Sequence, residues 1–590
     1  MAVIGIDLGT TNSLAAYWDG GEVRLVTDEN GETLFPSVVG YVEQEGLIVG
    51  KEAKERLLTH GKDTVASFKR FMGTDKTYEL GKKEYKPMEL SAMVLERIKR
   101  NAECFLKEEI DEAIITVPAY FNDKQRSDTK KAAKIAGLNV ERLINEPSAA
   151  ALAYRMKCQA EDMTLLVFDF GGGTLDLSYV ECFDNIIEIV AVAGDNYLGG
   201  DDIDRLISEY FCRENGIDGT SLDIEKSAEL LKASETAKIR LETEKETEIE
   251  LFVDEKTYRI TLNDDVLFEI CMPLFAKIKK LFLRILNDAE STVSNIDDLI
   301  MVGGSSRLSV VKRFLTELLG KEPVVLGQTD EVVAMGAGVY AGIRSRDEDI
   351  RDMLLTDVCP FTLGIECWHK ETSTQGYLLP MIERNSTLPS CVHKKLVTIS
   401  DYQTEIAVRI YQGEEYYAKD NIFLGEVSIP VEPAPAGRAG IDVYFTYDIN
   451  GILYVEAANS QNVRRHILLA NQKLSDAELK KYMKDMEELL IPPIQLKENQ
   501  EILAKLNGYY ENSSGNLRRQ LGYLIMWFEN GLQSGRNHIV KKVVDKTKEQ
   551  IELFERRKEY EEEFLFDGEL KLYEEDDYMM QEEAEADYYE

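Results

Sequence analysis

Two stretches of this chain share one pattern, and the pattern limits what the rest can be. Val3-Ile-Gly-Ile-Asp-Leu-Gly-Thr-Thr-Asn-Ser13 is an apolar run ending in Asp7, then a glycine and two threonines. Leu165-Leu-Val-Phe-Asp-Phe-Gly-Gly-Gly-Thr-Leu-Asp-Leu177 repeats it, with Asp169, three glycines and Thr174. Each reads as strand, tight turn, strand. Glycines at such a turn permit close backbone approach and turn N–H groups toward an anion. No helix directly follows the second stretch, so this is neither a Walker A loop nor a dinucleotide fingerprint. Taken as unrelated turns, the two would carry no function. Taken as an internal repeat, they are two glycine hairpins, one per lobe, facing one nucleotide.

At 590 residues the chain exceeds what a single core supports, so two to four domains are expected. A formal net charge of -38 argues against general affinity for nucleic acid. The eight cysteines and five histidines are scattered and form no zinc pattern. Reduced thiols in a cytoplasmic protein are expected. The N-terminus runs straight into a strand pattern and does not read as a signal peptide, and no apolar stretch is long enough to cross a membrane.

Residues 1–160 alternate strand and helix patterns. Within 64–72, Lys69 reads as an ordinary solvated charge. Glu146 stands before a helix rich in small residues and could cap it, with Pro147 suited to the first turn. The second lobe begins near Leu165, with further glycine loops at Gly199-Gly200 and Gly303-Gly304. Composition changes after residue 345. A charged joint carrying Leu354 and Leu355 leads into a strand-rich region, 358–469, with a turn at Asn450-Gly451. From residue 474 the pattern is helical, starting with a capping box at Ser475 and covering about 476–490, 496–510, 514–532 and 535–562. Residues 569–590 are strongly acidic and are expected to be disordered.

Five motifs then stand in one order: 4–13, Val117-Pro-Ala-Tyr-Phe-Asn122, Asn145-Glu-Pro-Ser-Ala-Ala-Ala151, 168–176 and Val302-Gly-Gly-Ser-Ser-Arg307. Over roughly its first 470 residues the chain resembles the seventy-kilodalton heat-shock chaperones of the DnaK type, as a compact bacterial paralogue. The resemblance implies a multidomain α+β protein. An actin-like two-lobed ATPase domain with ribonuclease H-like subdomains would occupy 1–345, and a linker 346–358. An antiparallel β-sandwich for peptides would span 359–470 and an α-helical lid 471–566, leaving an acidic tail at 567–590. It implies an ATP-dependent chaperone that hydrolyses ATP to ADP and phosphate with Mg2+, with K+ as a further candidate ion.

The same resemblance gives Lys69, Glu146, Asp169 and Thr174 catalytic roles. It places Asp7 and Asp169 beside magnesium, mostly through water. The nucleotide set it implies is Thr10, Thr11, Gly171, Gly172, Gly199, Gly200, Glu235, Lys238, Gly303, Gly304, Arg307 and Asp330. Pro118, Arg126, Leu354, Leu355 and Asp357 would relay nucleotide state between domains. Leu363, Ile365, Trp368, Val397, Ile406 and Val408 would line the peptide groove, although a plain core role suits Val408 as well. Implied partners are unfolded client polypeptides and a J-domain co-chaperone, with neither nucleic acid nor membrane.

The chain departs from the family pattern at several points. Glu242 stands where relatives carry a small hydroxyl residue near the adenine. Thr356 interrupts the usual leucine run of the linker. Trp368 replaces a smaller residue over the groove, and segments 73–87 and 246–260 are short, so no exchange factor is assigned. A nucleotide switch without peptide binding is the rival reading. A sugar kinase would leave residues 358–470 unexplained.

Overall fold

The computed structural model describes residues 2–57, 60–158, 162–183, 186–253, 256–325, 329–346, 350, 353–368, 375–448, 451–469, 493–511, 513–533 and 537–559. Residues 1–492 and 493–590 form two compact units.

The repeat read in the sequence is a repeat of topology. In the first sheet, Val3–Asp7, Asn12–Asp19 and Glu22–Leu25 form an antiparallel meander. Glu112–Val117 pairs parallel to Val3–Asp7, and Leu143–Asn145 pairs parallel to Glu112–Val117. The second sheet repeats this order. Asp162–Phe170, Leu175–Phe183 and Ile186–Asp195 make the meander, and Asp298–Val302 and Val324–Val325 add in parallel. Asp7 and Asp169 therefore end the equivalent first strands of two equivalent sheets.

The small-residue segments form the joint between these sheets. Helix Glu146–Lys157 packs on helix Val332–Arg344. A methyl group on Gly336 would run into the Ala149 carbonyl, and one on Gly5 would run into the backbone of Ala337. Side chains at these positions would hold the elements apart. The small residues let them close into a dry core shared with Leu165, Val167 and Ile300.

The segment after this joint does not remain free. Leu354–Thr356 is a sixth strand of the second sheet, parallel to Ile186–Glu188, with Leu355 opposite Ile187. Strand alternation divides its two leucines. Leu355 packs against the core containing Val180 and Ile187, whereas Leu354 is 61% exposed. The sequence suggested that both leucines dock, and the pleat turns only one of them inward. Thr356 is accommodated, its hydroxyl donating to the Ile187 carbonyl at 3.5 Å.

Two four-stranded antiparallel sheets follow. One runs in the order Tyr377–Ile382, Leu363–Cys367, Glu405–Gln412, Ile422–Pro430. The other runs Ser390–Val397, Gly440–Tyr447, Leu453–Asn459, Arg464–Leu469. Their shared core includes Leu363, Ile365, Val408, Ile441, Phe445 and Val455. In the second unit, helices Lys497–Glu511, Gly515–Gln533 and Asn537–Glu559 close around Leu506, Phe528 and Val543. The capping box at Ser475, the helix at 476–490, Asn450 and the acidic tail lie outside the described residues.

Candidate functional site

The two hairpins face each other across a cleft, and the glycine loops knit it together. Gly200 N–H donates to the Gly171 carbonyl at 3.0 Å and Asp201 N–H to the Gly172 carbonyl at 2.8 Å. The Ser305 hydroxyl donates to the Gly171 carbonyl at 2.9 Å. A methyl on Gly172 would press within 2.6 Å of the Thr11 hydroxyl oxygen, on the opposite hairpin. Thr11 is exposed and Thr10 half-buried, so both hydroxyls stand at the cleft surface. Gly171 N–H bonds back to the Thr174 carbonyl at 3.1 Å, closing the second turn. Gly303, at φ 83°, takes the left-handed backbone that glycine permits, and a side chain there would strike the Phe170 carbonyl.

Behind these loops lies a buried charge cluster. Lys69 Nζ meets Glu146 Oε1 at 2.8 Å, with the lysine side chain 4% exposed. The stretch around Lys69 is not the amphipathic helix that would leave it solvated. A left-handed Ser67 starts a short 3-10 turn, Phe68–Phe71, which turns Lys69 inward. Asp7 accepts from the Thr116 hydroxyl at 3.0 Å, and Asp176 accepts from Tyr120 N–H at 3.2 Å. The other Asp176 oxygen has no partner among the described residues.

One lysine does not balance this many carboxylates. Burial, and then the Glu146 carboxylate, push Asp7 up to about 7, against the opposing pull of Lys69. The same two causes push Asp176 up to about 7. Asp169 is raised well above the usual carboxylate range by burial, with Glu146, Asp176 and Asp7 adding. Buried like charges with raised carboxylates mark this cluster as a candidate functional site. Among the described residues, no three His, Cys, Asp or Glu side chains sit close enough to hold a metal ion directly.

Farther along the cleft, Lys238 meets Asp204 at 2.7 Å and donates to the Gly200 carbonyl at 3.1 Å. Arg307 meets Asp330 at 2.7 Å and donates through Nε to the Thr329 hydroxyl at 3.1 Å. Gly304 packs beside Asp330. Glu235 is exposed on helix Ile224–Arg240, one turn before Lys238. Glu242, just past that helix, is raised by burial while Arg307 pulls it down. Asp176 and Arg70 are the functional candidates that the motif reading missed. Asp176 was legible as the acid alternating two residues after Thr174.

Of the residues expected to relay nucleotide state, Pro118, Arg126 and Asp357 lie together, whereas Leu354 is exposed. Arg126 donates to the carbonyls of Phe121 (3.0 Å) and Ala119 (3.2 Å), and to Asn145 Oδ1 at 2.5 Å. Asn145 in turn donates to Asp357 Oδ2 at 2.6 Å, and Leu388 N–H donates to the Asp357 carbonyl at 2.7 Å. Pro118 is buried beside them. Asp357, the residue after the docked strand, is thus two hydrogen bonds from Arg126, through Asn145, the chain neighbour of Glu146. Across the same interface Tyr447 donates to Asp123 at 2.7 Å, Arg384 meets Asp288 at 2.7 Å, and the rings of Tyr120 and Phe361 lie 4.5 Å apart.

The sandwich residues do not all share one face. Leu363, Ile365, Ile406 and Val408 are buried together in its core. Trp368 leaves the end of strand Leu363–Cys367 and is 40% exposed. Val397 is 51% exposed, while its neighbour Leu396 packs against the core. Adjacent residues of a strand point to opposite faces, so Leu396 joins Ile406 and Val397 does not. Two consecutive apolar residues left that register open in the sequence.

The profile of the family described as "Hsp70 protein" matches residues 3–565. The chain is 40% identical over 519 residues to "Chaperone protein DnaK" of Thermotoga neapolitana, covering 85% of this chain and 86% of that one. The Thermotoga maritima protein of the same name gives the same identity and coverage. That of Nitrosopumilus maritimus is 39% identical over 497 residues, 81% of this chain and 77% of the other. The chain belongs to the Hsp70 family. It is an ATP-dependent molecular chaperone acting in protein folding, and an ATPase.

Proposed function

We propose that the cleft hydrolyses ATP with magnesium, that the sandwich holds extended apolar segments of unfolded clients, and that the docked strand Leu354–Thr356 couples the two. The observation that carries this reading is the hydrogen-bond line from Asp357 through Asn145 to Arg126. It begins beside the sandwich and passes one residue from Glu146.

In this reading the N–H groups and hydroxyls of Thr10 and Thr11 and the Gly172 N–H hold the phosphates, and Gly171, its N–H tied to the Thr174 carbonyl, shapes the loop around them. Lys69 supplies positive charge to the γ-phosphoryl group, and Glu146 and Thr174 orient the attacking water. Lys238, Glu235, Gly199, Gly200, Gly303, Gly304, Arg307 and Asp330 take the ribose and base end. Half-buried Asp7 with buried Asp169 and Asp176, one oxygen of Asp176 having no partner among the described residues, fit a hydrated magnesium ion. Bound magnesium would neutralise charge spread over the phosphates. Potassium is proposed only as a second ion of the same cleft.

That cluster makes magnesium-nucleotide binding proton-linked. Asp7 and Asp176, each pushed up to about 7, hold protons below that pH and must lose them to face a cation. Affinity is therefore expected to rise between pH 6 and 8, with proton release on binding. Calorimetry in buffers of different ionisation enthalpy checks this, and an affinity flat across that window with no proton release contradicts it.

We assign the peptide groove to Ile406 and its neighbours Leu396 and Ile365, with Trp368 at its mouth. Ile406→Phe is expected to weaken binding of an apolar peptide at least about tenfold. A purely structural Ile406 would instead cost about 1–3 kcal/mol of stability through overpacking. Peptide titration beside thermal melts of the full-length chain separates these outcomes. The proposed functional divisions are 1–345, 346–358, 359–470, 471–566 and 567–590. A J-domain co-chaperone is the proposed trigger of hydrolysis. All eight cysteines are free thiols, which supports a cytoplasmic setting.

A further inference from the structure

Arg70 follows Lys69 in the same 3-10 turn and points the other way. Lys69 reaches Glu146, while Arg70 crosses the cleft to the second lobe. Its Nη2 donates to the Gly173 carbonyl at 2.6 Å, and its Nε to the same oxygen at 3.2 Å. Nη1 meets Asp201 at 3.1 Å and Nη2 meets Asp202 at 3.5 Å. The Arg70 side chain is 10% exposed, against 37% for Asp201 and 20% for Asp202, so the pairs sit at the edge of the cleft with the arginine on the buried side.

Its partners are the two glycine loops themselves. Gly173 closes the hairpin loop after Asp169, and a methyl there would collide with the Arg70 guanidinium. Asp201 and Asp202 open helix Gly200–Asn215, and Asp202 also caps that helix by accepting from Gly199 N–H at 2.8 Å. One side chain of the first lobe thus grips both phosphate-facing loops of the second. A planar fork with five donors spans a carbonyl and two carboxylates at once, which the three donors of a compact lysine ammonium match less well.

We propose that Arg70 is a latch across the nucleotide cleft whose opening sets the rate of nucleotide release. Separating the lobes breaks its carbonyl and carboxylate contacts together, and leaves the guanidinium and Asp201 to be resolvated, while Asp202 keeps Arg205 at 3.0 Å and the Gly199 N–H. The latch gives the cleft its own gate on exchange, built from this chain alone. The inference rests on the proposal that these loops hold the phosphates.

The test is release of a fluorescent ADP analogue from full-length protein, followed by stopped flow with and without magnesium. Arg70→Ala is expected to speed release at least about tenfold. Arg70→Lys should fall between it and wild type, because charge remains and the fork is lost. Asp201→Asn also speeds release, and the double variant Arg70→Ala with Asp201→Asn stays within about twofold of Arg70→Ala, because paired groups are non-additive. The isosteric Asp201→Asn and the basic Arg70→Lys keep the test open if Arg70→Ala folds poorly. Release within twofold of wild type in Arg70→Ala, or effects that multiply in the double variant, overturns the latch alone. A wild-type chain that binds no analogue overturns the nucleotide site and the latch together.

Discussion

Replacing Lys69 by alanine is expected to lower single-turnover ATP hydrolysis at least about a hundredfold, with ATP still bound. The side chain is buried, its ammonium 2.8 Å from Glu146 in a cluster that also includes Asp7, Asp169 and Asp176. Charge that develops on the phosphoryl group in a water-poor site gains far more from a fixed cation than from solvent. Removing one preorganised donor of that kind costs about 2.7–4 kcal/mol, or roughly 10²–10³ in rate. The variant also leaves Glu146 without its partner among other carboxylates, so its dependence on magnesium should steepen. Quenched-flow hydrolysis with excess enzyme measures the chemical step directly. A rate within about threefold of the parent would remove Lys69 from the mechanism.

The second large effect is expected at the docked strand. Leu355 faces Ile187 and packs into the core with Val180, whereas Leu354 points to solvent. Leu355→Asp would bring a carboxylate into that apolar setting, an effective penalty of several kcal/mol. Docked and undocked forms would then shift by two orders of magnitude or more, since each 1.4 kcal/mol is about tenfold. ATP should no longer accelerate peptide release, while each half keeps its fold. Leu354→Asp, one residue away, should leave acceleration nearly intact. Parallel release assays and melts on both variants check the contrast. Equal effects of the two substitutions would contradict the strand register.

Much of this is legible in the amino-acid sequence. Asp7 and Asp169, each at the end of an apolar run and before a glycine turn, marked the repeat, and the two sheets share one strand order. The helices expected at 496–510 and 514–532 lie within a residue of Lys497–Glu511 and Gly515–Gln533, because amphipathic spacing fixes a helix locally. What stayed hidden is whatever depends on a partner distant in sequence. Lys69 reads as a surface charge until Glu146 is placed beside it, 77 residues on. Arg70 has no motif of its own, and its value comes from Gly173 and Asp201 in the other lobe. Leu396 and Val397 are equally apolar, and only pairing with Gly440–Tyr447 decides which one faces inward. The same limit applied to Leu354 and Leu355, whose burial is set by the edge of a sheet 168 residues earlier, where Ile186 pairs with Leu354 and Ile187 with Leu355.

One chain is proposed to join ATP turnover to capture and release of extended apolar peptide. The direct measurement is dissociation of a fluorescent apolar peptide from full-length protein, recorded after addition of magnesium-ATP and, separately, magnesium-ADP. ATP is expected to speed dissociation at least about tenfold over ADP, and Leu355→Asp to abolish the difference. Equal rates with the two nucleotides, or no peptide bound in either state, would contradict this expectation and favour a nucleotide switch that holds no client.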